Sequence, residues 1–370
     1  MTELKGFCEP GFESIRDAFR ENFDDGLEIG ASVALFKDGK PVVDLWAGFK
    51  DPKHNEEWQE DTVIPVASTT KIMTNLCAVI LVDQGKLDPE APVVTYWPEF
   101  GKHGKDKVLV KHIFAHTSGI PGFDPPIPFS RVFSWEEMVK SLEDQTLWWE
   151  PGTMAGYESE TFGFLAGELI RRCSSLTPGR YLQEHVCSKI DADFHIGFPH
   201  EEWHRMAMPI QDPESQLELG PIGEKAMNCF LNAWEDPEAF TTEIPGGNGV
   251  GNARSVAKIG AIYANHGEMC GHHFLSAPTL DFVLEEQDYS EDQVMGAMVR
   301  RGFGLGLSSP EFRCPGDKSL HWGGRGGSIC LMDLASRTSL AYVPNRWIDV
   351  VMDDPRNAAI RQAYNLLFAS

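Results

Sequence analysis

A serine and a lysine stand three positions apart in the segment VIPVASTTKIMTN, as Ser68 and Lys71. On a helix this spacing places both side chains on one face and within reach of each other. A serine hydroxyl is a poor nucleophile until a neighbour accepts its proton, and a buried lysine that has lost its charge can be that neighbour. The pair therefore predicts nucleophilic catalysis. The structural alternative is that Ser68 caps a helix and Lys71 points to water.

The spacing alone does not decide between these interpretations, because it recurs at Ser255 and Lys258. There a glycine-rich loop comes first, and we expect Ser255 to be the N-cap of a helix. Residues 68–84 differ because they are apolar on most sides, which is typical of a buried helix, and Gly85 suits its C-terminal end. A lysine in the first turn of a buried helix is expected to face inward.

A tyrosine in a loop is the second candidate for chemistry. Tyr157 lies between a Pro-Gly loop and a predicted helix, in PGTMAGYESETFGFL. Such a loop can bring a phenol to the mouth of a cleft, where it acts as general base or acid. The alternative is a core aromatic whose hydroxyl bonds a backbone carbonyl.

A glycine-rich stretch between two strand-like runs is the third candidate, at residues 321–333, HWGGRGGSICLMD. Glycine lets the backbone approach a ligand closely, and an N–H at a strand edge can then stabilise an oxyanion. The alternative is a tight hairpin with a bulge.

Two histidine pairs have the spacing of metal ligands. His200 and His204 lie in HEEWH, which fits the zinc-hydrolase pattern H-E-x-x-H. A zinc site also needs a buried inner face and a third ligand, whereas Pro199, acids and a tryptophan surround this segment. We therefore favour a surface turn of helix and expect no metal. His112 and His116 are interpreted as packing or capping residues.

The elements that must position these residues follow from periodicity. Helical spacing predicts an amphipathic helix over 10–24, and Asp38-Gly39 predicts a hairpin over 31–48. Asp354 and Pro355 suit the cap and first position of a terminal helix. Further strand-like runs are 303–307, 318–323, 327–333 and 338–343.

Strands near both ends and helices in the middle predict an α+β fold. We expect one antiparallel sheet built from both chain ends and flanked by helices, with an inserted, mostly helical domain. The predicted sheet domain comprises residues 1–84 and 246–370, and the inserted domain comprises 85–245. The active site is expected between them, because a cleft between domains is a common place for a ligand.

Composition excludes several classes of function. The 370 residues carry a net charge of −23, which repels nucleic acid and anionic membrane. No apolar run is long enough for a membrane span, and the N-terminus lacks the pattern of a secretory signal. The 8 cysteines form no C-x-x-C pair, as expected for reduced thiols in a cytoplasmic protein. Neither a dinucleotide motif nor G-x-S-x-G is present, so we expect no cofactor and no α/β-hydrolase nucleophile.

The candidate segments, taken in order along nearly the whole chain, resemble serine hydrolases of the class C β-lactamase and penicillin-binding-protein type. Within that group the chain looks most like the family VIII carboxylesterases. Each motif is weak alone, but four in the right order are specific. The matching segments are Ser68–Lys71, HIFAHTSGIPG at 112–122, Tyr157-Glu158-Ser159 within WEPGTMAGYES, and Trp322-Gly323-Gly324.

The resemblance implies an acyl-enzyme mechanism. Ser68 would attack a carbonyl, and Lys71 and Tyr157 would together take and return its proton. The backbone N–H groups of Ser68 and Arg325 would form the oxyanion hole. Trp322, Gly323, Gly324 and Ser159 would line the substrate site.

Two departures from the pattern bear on the substrate. Trp322 stands where β-lactamases of this group carry a Lys or His that holds the drug carboxylate, although Arg325 is near enough in sequence to supply part of that role. Ser159 stands where they carry an Asn that bonds the drug amide. We therefore expect hydrolysis of small uncharged carboxylic esters, with weak β-lactam turnover at best.

The alternatives stay open at this level. The same site would serve an acyltransferase, an amidase or a peptidase of D-residues. Two alternatives belong to other classes of function: a non-catalytic binding protein on this fold, and a zinc hydrolase at His200 and His204. Five aromatic residues are candidates for an apolar cleft lining: Phe123, Phe129, Trp148, Trp149 and Trp322. The sequence indicates neither the oligomeric state nor the acyl chain length.

Overall fold

A large antiparallel sheet organises the chain. The computed structural model describes residues 2–227, 229, 238–350 and 354–368. Within these residues nine strands join in the order β1-β3-β2-β15-β14-β13-β12-β11-β10. The strands of the structure are β1 (Lys5–Cys8), β2 (Gly30–Lys37), β3 (Lys40–Gly48), β4 (Ile64–Pro65), β5 (Phe194–His195), β6 (Ile210–Gln211), β7 (Val250–Gly251), β8 (Glu268–Met269), β9 (His272–His273), β10 (Asp288–Glu291), β11 (Met298–Arg301), β12 (Gly306–Leu307), β13 (Ser319–Gly323), β14 (Ile329–Asp333), β15 (Thr338–Pro344) and β16 (Arg346–Trp347).

Helices cover both faces of the sheet and fill the middle of the chain. They are α1 (Glu13–Asp24), α2 (Thr70–Asp83), α3 (Val110–Phe114), α4 (Trp135–Asp144), α5 (Phe162–Ser174), α6 (Pro178–Leu182), α7 (Ser188–Ile190), α8 (Gly223–Ala226), α9 (Glu238–Thr241), α10 (Ala253–Ala264), α11 (Ala277–Leu284) and α12 (Pro355–Phe368). The predicted α+β fold, with a sheet built from both chain ends and flanked by helices, is confirmed. Across the described residues, every helix is too short or too polar to cross a bilayer.

Strand β2 shows why the sequence of a strand in this sheet is an almost continuous apolar run. Successive residues of a strand face opposite sides, and helices cover both sides here. Val33 and Leu35 belong to the core under α1 and α12, while Ala34 and Phe36 belong to the core on the side of α10. The predicted hairpin turn is confirmed, since Asp38 and Gly39 have φ of 49° and 73°, the left-handed values of a type I′ turn.

Helix ends confirm two predictions and correct one. The first helix begins at Glu13 and the last at Pro355, where Asp354 accepts a hydrogen bond of 2.9 Å from the nitrogen of Arg356. The prediction that Ser255 caps its helix is wrong. Helix α10 begins at Ala253, and the cap is Asn252, whose side chain accepts from the nitrogen of Ser255 at 2.9 Å.

Helix α2 links the sheet to the helices of the middle segment. It contacts α5 and α6, and the 3₁₀ turn Ala67–Thr69 at its start contacts β13. Within 85–245 the described elements are α3 to α9, with the two-residue strands β5 and β6. The start of α2 therefore lies between strand β13 of the large sheet and the middle helices.

Candidate active site

The turn that carries Ser68 is tight and held from several sides. Ala67 has φ of 46°, a left-handed value that is uncommon outside glycine and often found at functional sites. Thr70 Oγ1 donates to the Ala67 carbonyl at 2.5 Å and accepts from the nitrogen of Gly249 at 2.8 Å. Neither the 3₁₀ turn nor α2 has a side-chain cap. The capping interpretation of Ser68 is therefore wrong.

Lys71 faces inward, as its place in a buried helix predicts. Its side chain is fully buried, and Nζ donates to Ser68 Oγ at 3.2 Å. It also donates to the carbonyls of Ser159 at 3.0 Å and Gly246 at 2.7 Å. Three acceptors fix the position of the lysine, and its nitrogen lies within hydrogen-bond reach of the serine oxygen.

Tyr157 comes to the same place from the loop before α5. Its ring centroid lies 4.9 Å from Lys71 Nζ, and its side chain lines the same cavity as Ser68. Its hydroxyl bonds no backbone carbonyl within the described part of the chain, contrary to the structural alternative for this tyrosine. Tyr157, which is distant in sequence, thus forms one cluster with Ser68 and Lys71.

The glycine-rich segment lies beside the serine. Trp322 is near the end of β13 and is 7% exposed. A Cβ atom at Gly324 would lie 2.3 Å from the Val66 carbonyl oxygen and 3.0 Å from the Ser68 nitrogen. Only glycine allows the strand end to approach the serine turn this closely. Ser328 Oγ donates to the same Val66 oxygen at 2.8 Å and fixes the approach.

Arg325 follows directly, and its guanidinium is already engaged. It donates from Nε and from one terminal nitrogen to the two carboxylate oxygens of Asp349, both at 2.7 Å. Gln211 Oε1 accepts a further bond at 3.3 Å. The sequence analysis allows Arg325 to help in holding a substrate carboxylate. In the structure, however, its guanidinium is already bound to a carboxylate of the protein itself.

Two buried titratable groups, missed as site residues by the sequence analysis, support Tyr157 and Trp322. The ring of His116 stacks on Trp322 at 5.5 Å and meets Tyr157 edge-on at 5.1 Å. Its Nδ1 accepts from the nitrogen of Glu158 at 3.2 Å. Burial, with Arg301 and Lys71 nearby, lowers the pKa of His116 well below its usual value, and burial raises the pKa of Glu158 well above its usual value. Burial thus favours the neutral form of each group. Two motifs in the sequence could have identified these residues: HTSG contains His116, and Tyr-Glu-Ser contains Glu158.

An ion pair from the sheet anchors the tyrosine loop. Asp292 Oδ1 accepts from the backbone nitrogens of Tyr157, Val294 and Met295 at 2.8 to 3.0 Å. Its other oxygen pairs with the guanidinium of Arg301 in β11, and both side chains are buried. Nothing in the local sequence indicated this contact.

The cluster opens into a mostly apolar cavity of about 230 Å³. Of the predicted aromatic lining only Trp322 is present, since Phe123, Trp148 and Trp149 lie elsewhere and the side chain of Phe129 falls outside the described residues. Ser159, Gly323, Gly324 and Arg325 line it as expected. Its apolar residues include Leu217, Leu219, Met227, Ile244, Met295, Met298, Val299, Leu307, Phe312 and Val350.

The histidine pairs have other roles. His200 and His204 lie in the 3₁₀ segment His200–Arg205, where residues four apart do not share a face. His204 Nδ1 bonds the Glu201 carbonyl at 3.0 Å, and the described residues contain no group of His, Cys, Asp or Glu that could hold a metal ion. His112 Nδ1 accepts from the nitrogen of Leu109 at 3.2 Å, which confirms the capping interpretation for that histidine.

Comparison with known proteins agrees with this geometry. The sequence profile of the Beta-lactamase family matches residues 16–365. The chain belongs to that family. It is 28% identical to the esterase/beta-lactamase LipL of Mycobacterium tuberculosis (strain ATCC 25618 / H37Rv), over 94% of this chain and 85% of LipL.

Solved structures of this β-lactamase family extend the likeness to the whole fold. A family VIII carboxylesterase matches with a TM-score of 0.91 and 33% identity, over 99% of this chain and 100% of that chain. A penicillin-binding protein homologue from Caulobacter crescentus matches with a TM-score of 0.93 and 31% identity, over the same shares. The resemblance inferred from the four motifs is confirmed.

Proposed function

We propose that the protein is a serine hydrolase that cleaves small carboxylic esters through an acyl-enzyme. The observation that carries the proposal is the 3.2 Å bond between Lys71 Nζ and Ser68 Oγ in a buried helix turn. A nucleophile in contact with a positioned base is the signature of covalent catalysis. The names of the relatives, an esterase/beta-lactamase and a family VIII carboxylesterase, support the same reaction class.

In the proposed mechanism Ser68 attacks the ester carbonyl while Lys71 and Tyr157 accept its proton. The backbone N–H groups of Ser68 and Arg325 stabilise the oxyanion, and donors of this kind contribute about 3 kcal/mol each in the transition state. The proton returns to the leaving alcohol, and water then releases the acyl group. The proximity of Gly324 to the Ser68 nitrogen supports this placement of the two donors.

The substrate inferred is uncharged. Trp322 presents a ring to the cavity where a cation would be needed for the carboxylate of a β-lactam, and most other lining residues are apolar. We therefore propose weak β-lactam turnover at best. Release of the acyl group to an alcohol or amine, which would make an acyltransferase, uses the same acyl-enzyme and is distinguished by its products.

Two further parts of the proposal concern organisation and location. We propose that residues 1–84 with 246–370, and residues 85–245, are two domains with the active site between them. The eight cysteines form no disulfide among the described residues. A chain without disulfides is typical of a reducing compartment, and we propose that the protein acts in the cytoplasm.

Hydrolysis of p-nitrophenyl butyrate by the wild type and by Ser68→Ala, each with a chelator present, tests the proposal. We expect activity in the wild type and none in the variant. The matched control is Ser255→Ala, which alters the other S-x-x-K segment and should leave activity unchanged. Equal activity in wild type and Ser68→Ala would contradict the mechanism, and loss of all activity with the chelator would favour a metal enzyme. A wild type without ester hydrolysis would favour a peptidase or a binding protein.

A further inference from the structure

The positive charges that face the cavity are compensated within the protein. Among the described residues, two cationic side chains line the cavity, Arg300 and Arg325. Arg300 Nε donates to Glu286 at 2.6 Å, and Arg325 is bound by Asp349. His321 also lines the cavity, and burial lowers its pKa to about 3, which leaves the ring neutral near pH 7. A substrate carboxylate would therefore meet no uncompensated positive charge from these residues.

Several contacts hold the ion pair between Arg325 and Asp349 in place. The contact is bidentate, which fixes the guanidinium plane as well as its position. Asp349 is 7% exposed in its side chain, and it also accepts from Gln211 Nε2 at 3.1 Å, while its backbone nitrogen donates to Ser215 Oγ at 3.0 Å. These contacts hold the carboxylate against the guanidinium.

We propose that the Arg325–Asp349 ion pair sets the charge selectivity of the site. Asp349 withholds the guanidinium from substrate, so the site takes esters with an uncharged, apolar acyl chain and rejects esters that carry a carboxylate. This inference rests on the proposed esterase function. It makes Asp349 a specificity-determining residue, although Asp349 does not line the cavity itself.

We expect Asp349 to affect charged substrates selectively because of the position of Arg325. Arg325 directly follows the Gly324 strand end that lies against the Ser68 turn, and its side chain is 25% exposed at the cavity. Removing the charge of Asp349 leaves the Arg325 guanidinium with a neutral partner. The guanidinium can then pair with a carboxylate on the acyl chain of the substrate. The same change leaves the apolar lining as it was.

Two matched substrates measure the effect, p-nitrophenyl pentanoate and p-nitrophenyl hydrogen adipate, which differ by one terminal carboxylate. The quantity compared is kcat/KM for the adipate divided by kcat/KM for the pentanoate, after subtraction of the uncatalysed rates. We expect Asp349→Asn to raise this ratio about two- to fivefold, the size of one partly exposed charge pair. Combining it with Arg325→Gln should abolish the gain.

The control is Asp212→Asn. Asp212 forms a comparable bridge with Arg346, at 2.7 Å, and neither residue lines the cavity, so the ratio should stay at the wild-type value. An unchanged ratio in Asp349→Asn, or a gain that survives Arg325→Gln, would overturn the inference. Hydrolysis of the pentanoate with an unchanged ratio overturns only this inference. Failure of the wild type to hydrolyse it through Ser68 overturns the proposed function as well.

A measurement on the wild type alone decides the matter if Asp349→Asn does not fold. Salt screens charge attraction between a protein and its substrate. With Arg325 masked, kcat/KM for the adipate should not fall as salt is added, because the net charge of −23 repels that substrate. A fall with salt that is specific to the adipate would show an available cation and would overturn the inference.

Discussion

The backbone nitrogen of Tyr157 donates a 3.0 Å hydrogen bond to Oδ1 of Asp292, 135 residues further along the chain. Asp292 is in turn paired with Arg301 in β11. The tyrosine loop thus takes its position from the sheet, and the sheet also supplies the glycine-rich strand end. This shared support holds the proposed base and the proposed oxyanion donors at a fixed separation.

Replacing Asp292 should therefore affect both stability and catalysis. Asn keeps an oxygen for the backbone donors but leaves the buried Arg301 with Asp288, at 3.3 Å, in place of its close buried partner. Breaking a buried pair costs about 3–5 kcal/mol. We expect Asp292→Asn to lower the free energy of unfolding in urea by about 3 kcal/mol and to lower kcat for p-nitrophenyl butyrate more than it raises KM.

The control is Asp281→Asn, at an exposed position of α11, which should change neither quantity. Adding Arg301→Met to Asp292→Asn removes the buried cation, although the partly exposed Asp288 then loses its ion-pair partner. Stability should therefore recover in part, without recovery of kcat. A stability loss with unchanged kcat would mean that Asp292 does not position Tyr157.

Lys71 offers a matched pair of variants within one chain. Lys71→Ala should lower kcat by about 10²- to 10⁴-fold, the usual contribution of a positioned general base, with little effect on KM. Lys258→Ala removes the lysine of the other S-x-x-K segment, where Nζ donates to the Asp191 carbonyl at an exposed site, and should leave kcat unchanged. Steady-state kinetics on p-nitrophenyl butyrate distinguish them, and similar losses in both variants would remove Lys71 from the mechanism.

Acid should destabilise the protein partly through His321. Burial under Phe312, whose ring stacks on the imidazole at 3.9 Å, lowers the pKa of His321 to about 3 from 6.5, although the hydrogen bond with the Leu307 carbonyl acts in the opposite direction. Below pH 6.5 the unfolded chain takes up a proton that the folded protein excludes. The unfolded state then binds more protons, so the free energy of unfolding rises with pH between these two values.

Urea unfolding at several pH values measures that contribution. The advantage of the wild type over His321→Gln should shrink by up to about 1.4 kcal/mol per pH unit from about pH 6 to about pH 4. His272→Gln, at an exposed position, should run parallel to the wild type. A constant difference between wild type and His321→Gln would show that His321 takes up its proton equally in both states.

Local patterns were enough to predict the elements with strong signals. The Asp38-Gly39 turn, the buried helix behind Ser68 and the inward Lys71 each follow from a few neighbouring residues. Ser255 shows the limit of that approach, because Asn252 offers the same kind of capping oxygen three positions earlier. Strands β10 and β11 went unpredicted because each has only four residues, two of which are charged.

Contacts between distant segments could not be read from local patterns. Asp349 gives no sign in its own neighbourhood that it binds Arg325, and Asp292 gives none that it holds Tyr157. The four ordered motifs did bring together the residues of the site, because each motif lies at a place where the fold converges on Ser68. The partners that tune those residues come from elsewhere in the chain.

A covalent intermediate on Ser68 is the central claim, and mass spectrometry tests it most directly. The wild type is mixed with p-nitrophenyl butyrate, quenched in acid within the first turnovers, digested and mapped, with Lys71→Ala included as a variant in which acylation should be slow. We predict one butyryl group on the peptide that contains Ser68, and none in Ser68→Ala treated in the same way. Ester hydrolysis with no acyl group on that peptide, or with the group on another residue, would contradict the account.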